Sequence, residues 1–131
     1  MKSDAHILIV DDDKGIRDLL QEFFQKRGLH TTVAGDGTEM EQILRRTPVD
    51  LIILDVMLPD INGQSVCELI RRDPTMADIK IICISGMVEE DKIQDLKESG
   101  ADDFLHKPLD IDELMRRVCR LLDMEAGVTG G

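Results

Sequence analysis

Five side chains in this 131-residue sequence have the types needed to handle a phosphoryl group: the carboxylates of Asp11, Asp12 and Asp55, the hydroxyl of Ser85 and the ammonium of Lys107. Carboxylates that converge within a few ångströms raise one another's pKa and destabilise a fold unless a cation shares the site. A hard divalent ion with oxygen ligands, Mg²⁺ above all, relieves that repulsion. In such a set one carboxylate is the nucleophile. The metal and Lys107 neutralise the peripheral oxygens, and Ser85 donates a hydrogen bond to one of them.

The elements that must bring these residues together are legible in the hydrophobic pattern. The runs "HILIV" (6–10), "LIIL" (51–54) and "IKIICIS" (79–85) are short, apolar and rich in β-branched residues, as strands buried on both faces are. "HTTVA" (30–34) and "DFLH" (103–106) are weaker strand candidates. Helical spacing joins Ile16, Leu19, Leu20, Phe23 and Phe24, and again Ile111, Leu114, Met115, Val118, Leu121 and Leu122. Gly28, Gly35, Gly37, Pro48, Pro74 and Gly100 punctuate the periodic segments, and Asp110 followed by Glu113 is an acidic form of a helix-start box. Five strand-helix alternations with right-handed crossovers predict a five-stranded, doubly wound parallel α/β sheet. Sites in such sheets lie beyond the carboxyl ends of the strands. Asp11 to Asp13, Asp55, Ser85 and Lys107 all fall at such ends.

Bulk properties narrow the function. A chain of this length, 42% hydrophobic, builds one core. Sixteen basic against 27 acidic residues give a net charge of −11, which favours cations or basic partners and predicts no direct contact with nucleic acid or anionic membranes. Cys67, Cys83 and Cys119 have neither disulfide-framework nor metal-ribbon spacing and read as small core residues in a reducing compartment. No apolar run is long enough to span a membrane or form a signal peptide. The expectation is a soluble, cytoplasmic protein.

The segments "ILIVDDD", "LIILDVMLPDING", "IICISG" and "ADDFLHKP", in this order and spacing, resemble the receiver domain of two-component response regulators over about residues 5–123. The resemblance implies a flavodoxin-like sheet of order 2-1-3-4-5 with five helices, a receiver domain over residues 1–124, and a flexible tail or linker start over 125–131. It makes Asp55 the phosphoacceptor, served by a sensor histidine kinase or a histidine phosphotransfer protein. Asp12, Asp55 and the Met57 carbonyl become Mg²⁺ ligands, and Asp11 reaches the metal through water. Ser85 takes the place of the switch hydroxyl and Phe104 that of the switch aromatic. Lys107 pairs with the phosphoryl group across a Lys107–Pro108 bond expected to be cis, and Gly63 fits the glycine of the turn after the acceptor strand. The implied output is changed affinity for a downstream effector protein or output domain. The receiver would catalyse its own phosphorylation and dephosphorylation without being an enzyme in the usual sense.

Each residue has a plainer reading. Asp11 to Asp13 could cap a helix, and Asp13 is expected to do so, but three acids exceed what capping needs. Phe104 alone reads as core, and His6, His30 and His106 have no ligand spacing. Gly86 stands where the family often has alanine, which predicts a looser loop after Ser85. Met57 and Met87 stand two positions past the acceptor and the switch hydroxyl, where apolar side chains hinder an in-line water and predict a long-lived phosphoryl state. A phosphatase of the haloacid-dehalogenase type would carry an acid at position 57, where this chain has methionine. A flavin module would carry a glycine-rich phosphate loop after the first strand, and here there are acids. The alternative reading is a degenerate receiver that binds proteins independently of phosphorylation, and the intact set of five argues against it.

Overall fold

The computed structural model describes residues 4–86 and 89–123. Five strands and five helices alternate: β1 (His6–Val10), α1 (Lys14–Gln25), β2 (His30–Ala34), α2 (Gly37–Arg46), β3 (Leu51–Asp55), α3 (Gly63–Arg72), β4 (Lys80–Ser85), α4 (Glu90–Glu98), β5 (Asp103–His106) and α5 (Ile111–Leu121). All strand pairs are parallel and the order is β2-β1-β3-β4-β5, as expected. Both weak strand candidates are strands, and β3 runs one residue further than its apolar run, through Asp55.

The continuous apolar runs are explained by two covered faces. Leu8, Val10, Ile52, Leu54, Ile81 and Cys83 point to one side and pack under Met40, Ile43, Cys67, Ile70, Ile93 and Leu96 of α2, α3 and α4. Ile7, Ile9, Leu51, Ile53, Ile82 and Ile84 point to the other and meet Leu20, Phe24, Leu114, Met115 and Val118 of α1 and α5. This period of two within an unbroken apolar run fixes the register, because a slip of one residue would exchange the two cores. The three cysteines are free and buried, as the sequence suggested. Cys67 of α3 and Cys83 of β4 share one core, and the neighbouring thiol together with burial pushes the Cys83 thiol up, so it stays protonated.

Asn62, Asp36, Asp110 and Asp13 cap four helices with their own carboxylate or amide oxygens, leaving fewer orphan amides at each start. Helix α4 follows Glu89, whose side chain makes no capping hydrogen bond. Its far end is fastened by one side chain, Arg71 of α3. The Arg71 guanidinium donates to the carbonyls of Gly100, Ala77 and Ile79 and pairs with Asp102 at 2.7 Å, and the same Asp102 oxygen accepts from Ile81 N at 2.7 Å. Gly100 makes room for this knot, since its φ is +122° and a Cβ there would stand 2.6 Å from Arg71 Cγ. At the other side of β5, buried Asp103 is paired with Arg117 and Arg120 of α5. Burial pushes the Asp103 carboxyl up, but Arg117, the Phe104 amide and Arg120 outweigh it and hold it below the usual carboxylate range.

Candidate phosphoryl site

The parallel topology delivers the site, because every strand ends at the same edge of the sheet. β1 hands over to Asp11, Asp12 and Asp13; β3 ends on Asp55, β4 on Ser85, and Lys107 follows β5. Ligand oxygens of Asp11, Asp12 and Asp55 lie within 4.8 Å of one another. Lys107 Nζ stands 2.9 Å from Asp55 Oδ2, to which it donates, and 3.0 Å from Asp11 Oδ2. The Lys107–Pro108 bond is cis, as expected.

Asp11 and Asp55 are buried and Asp12 is exposed. Burial, above all, pushes the Asp11 carboxyl above its ordinary value, and Asp55 adds to it against the Asp13 amide and Lys107. Burial pulls the Lys107 ammonium down, but its hydrogen bond to Asp55 and its ion pair with Asp11 outweigh that and hold it charged. Three carboxylates against one ammonium leave two negative charges uncompensated, which is the charge of a divalent cation. The donors are all hard oxygens, and Asp11 Oδ2, though within ion-pair reach of Lys107, accepts no aligned hydrogen bond and keeps a lone pair in hand. This set fits Mg²⁺ and suits no soft metal.

The backbone holds the carboxylates in place. Met57 N donates to Asp55 Oδ1 at 2.8 Å, and Val56 N reaches across to Ile84 O at 3.1 Å. Asp13 plays a double part: its amide donates to Asp11 Oδ1 at 2.9 Å while its side chain caps α1 through Gly15 N at 2.8 Å. Asp13 is thus the capping residue of the run, while Asp11 and Asp12 join the acid cluster with Asp55. Ser85 is buried at the end of β4, next to the position paired with Asp55. Phe104 is buried and meets the exposed His106 ring edge-on at 5.0 Å. Met57 is 57% exposed beside the acceptor; Met87 lies outside the described residues.

Two sequence inferences about glycine change in weight. A Cβ at Gly63 would meet Val56 Cγ1 at 2.8 Å, so the acceptor loop and α3 approach too closely for any side chain. At Gly86 the nearest atom would be Lys107 Cβ at 3.7 Å, so packing leaves room for the alanine common in the family. Arg17 was not singled out by the sequence. Its Nη1 donates to Asp11 O at 2.8 Å, and an arginine on a helix carries no signal of that reach.

The family model described as the response regulator receiver domain matches residues 7–119. The chain is similar to the DNA-binding dual master transcriptional regulator RpaA of Synechocystis, with 41% identity over 88% of this chain and 48% of that protein. It is also similar to the TorCAD operon transcriptional regulatory protein TorR of Escherichia coli O157:H7, with 39% identity over 89% and 50%. The chain thus spans about half the length of these curated relatives. Among solved structures, a two-component response regulator from Clostridium difficile superposes with a TM-score of 0.84 at 29% identity, covering 91% of this chain and 96% of that one. The receiver domain of the Francisella response regulator 1452 does so with a TM-score of 0.82 at 32% identity, covering 92% and 98%.

Proposed function

Since this chain belongs to the response regulator receiver family, a family of phosphoacceptor switches, we propose that Asp55 is its phosphoacceptor and that Asp11, Asp12, Lys107 and Ser85 serve the transfer. The observation that carries this reading is the convergence of three carboxylates within 4.8 Å with one of them, Asp55, also held by Lys107 at 2.9 Å. Asp12, Asp55 and the Met57 carbonyl would hold Mg²⁺, with Asp11 supporting the site, and the ion would supply neutralising charge to the phosphoryl oxygens. Asp55 attacks phosphorus through a carboxylate oxygen. A bond to that oxygen forms as the donor's bond to phosphorus breaks, and the electron pair leaves with the donor. Lys107, already beside Asp55, moves its contact to the new phosphoryl group, and Ser85 closes on it with a hydrogen bond.

The product state adds a doubly charged group at the mouths of β3 and β4. The output we assign is a shift of α4 and of Phe104 that changes affinity for a downstream effector or output domain, with a histidine kinase or phosphotransfer protein as donor. RpaA and TorR are named transcriptional regulators and are about twice as long as this chain. With a net charge of −11, this chain is assigned the protein-binding part of such a system and no contact with nucleic acid of its own. Self-dephosphorylation needs a water in line with the Asp55 oxygen, and an apolar, exposed methionine two positions past the acceptor would hinder it. We therefore assign a long-lived phosphoryl state.

The test is intact mass after incubation with acetyl phosphate, with and without Mg²⁺, for the native chain and Asp55→Asn. One added phosphate is expected only for the native chain and only with Mg²⁺. Addition to Asp55→Asn at the native rate would sink the assignment, and no addition to either would turn attention to a receiver that works unmodified. Once the donor is removed, the phosphoryl group should outlast minutes, and Met57→Asn should shorten its life several-fold. Loss within seconds from the native chain would count against the role given to Met57.

A further inference from the structure

Asp11 and Asp12 are neighbours, so the peptide between them sets the direction of both carboxylates. That stretch is gripped from two sides. Asp11 N donates to Ala34 O at the end of β2 at 3.1 Å, and Asp11 O accepts from Arg17 Nη1 of α1 at 2.8 Å. The guanidinium arrives over the turn after β2, and that turn is shaped to admit it. A Cβ on Gly35 would stand 3.2 Å from Arg17 Nη1 and 3.2 Å from Glu39 Oε1, and the same Glu39 oxygen accepts from Gly35 N at 2.9 Å. The backbone at Gly35 is not left-handed, so the glycine is there for the approach of side chains rather than for backbone freedom.

We propose that Arg17 is a positioning residue for the Mg²⁺-binding acids, holding the Asp11–Asp12 peptide so that the two carboxylates are presented together with Asp55. The inference rests on the reading of Asp11, Asp12 and Asp55 as the metal site. Arg17 touches neither metal nor phosphoryl group in this scheme. It acts as the supporting hydrogen bonds around metal ligands do, and their loss weakens metal binding about 10- to 100-fold.

Charge and position make opposite predictions for this residue. A cation near three carboxylates repels Mg²⁺, so if Arg17 were only a charge, removing it would tighten Mg²⁺ binding. If it positions the peptide, removing it loosens binding despite the relief of repulsion. Arg17→Met keeps the apolar stem and deletes both donor and charge.

The experiment is a calorimetric titration of the unphosphorylated chain with Mg²⁺ for native, Arg17→Met and Gly35→Ala, with thermal midpoints recorded in chelator. Binding about tenfold weaker is expected for Arg17→Met, and a smaller loss of the same sign for Gly35→Ala, whose methyl group presses on the guanidinium. Native or tighter affinity in both variants overturns the proposal, as does a lowered midpoint with unchanged Mg²⁺ affinity. Should Arg17→Met not fold, Gly35→Ala decides by the same criterion. A native chain that binds no Mg²⁺ would instead remove the metal reading beneath it, a failure told apart by the first titration alone.

Discussion

A methyl group added at Gly63 would stand 2.8 Å from Val56 Cγ1 and 3.1 Å from Leu96 Cδ2, while one added at Gly86 would touch only Lys107 Cβ at an ordinary 3.7 Å. Family resemblance treats both as positions of interest, and the distances separate them. Gly63→Ala should destabilise the fold by about 1–3 kcal/mol, the usual cost of overpacking. It should also disturb phosphorylation, because Val56 lies between the acceptor and the collision. Gly86→Ala should leave stability within about 0.5 kcal/mol. Urea denaturation of the two variants checks both, and a Gly86→Ala loss as large as that of Gly63→Ala would show that the loop after β4 is packed more tightly than described. Of the site residues, those at strand ends were legible because the topology fixes where a strand end goes. Arg17 and Arg71 were not, since each acts through backbone carbonyls, and a carbonyl leaves no trace in the residue type that carries it.

Among the elements, the pairing of β1 with β2 carries its own pH sensitivity, at the opposite edge of the sheet from the acids. His6 and His30 are register partners whose rings lie 6.3 Å apart, with His6 Nε2 2.7 Å from Thr32 Oγ1 and His6 N bonded to Asp50 Oδ2 at 2.8 Å. Burial and then His30 lower the His6 pKa below its ordinary 6.5, against the pull of Asp50. The unfolded chain therefore binds this proton more readily than the fold does. Its contribution to stability is complete above pH 6.5 and is lost as the pH falls through that value toward the lower folded pKa. The midpoint in denaturant should drop between pH 7 and pH 5.5, and His6→Gln should flatten the drop; an equally steep fall in His6→Gln would assign the effect to other groups. The strands themselves were readable because a run buried on both faces has no polar interruptions. The nearness of Cys67 to Cys83 was not, since it depends on which turn of α3 lies over β4, and the 3.6-residue period leaves that open.

For the whole molecule, the acid cluster sets a conflict between folding and binding. Two uncompensated negative charges sit together at one edge of a chain whose net charge is −11. Mg²⁺ binding only to the folded form would add about 2.7 kcal/mol of stability at 100 times its dissociation constant. A thermal midpoint that climbs with Mg²⁺ is expected for the native chain. Asp12→Asn should start from a higher midpoint in chelator and respond little to the metal. A flat response of the native chain, or an unchanged metal-free midpoint in Asp12→Asn, would place the strain elsewhere.

The Arg71 knot has a consequence for how the molecule keeps company with its own kind. β5 is the outermost strand on its side of the sheet, only four residues long, and β4 beneath it is the run "KIICIS", β-branched and almost without charge. With Arg71 in place, the turn that leads into β5 is fastened to α3 and to Ile81, and the backbone of β4 stays covered. Were that turn to loosen, β4 would present a bare, apolar edge to any other chain, the kind of template on which strands of separate molecules stack into aggregates. Arg71→Ala should then show itself first as turbidity at high protein concentration, before any loss of the acid site's chemistry. Light scattering at rising concentration would detect it.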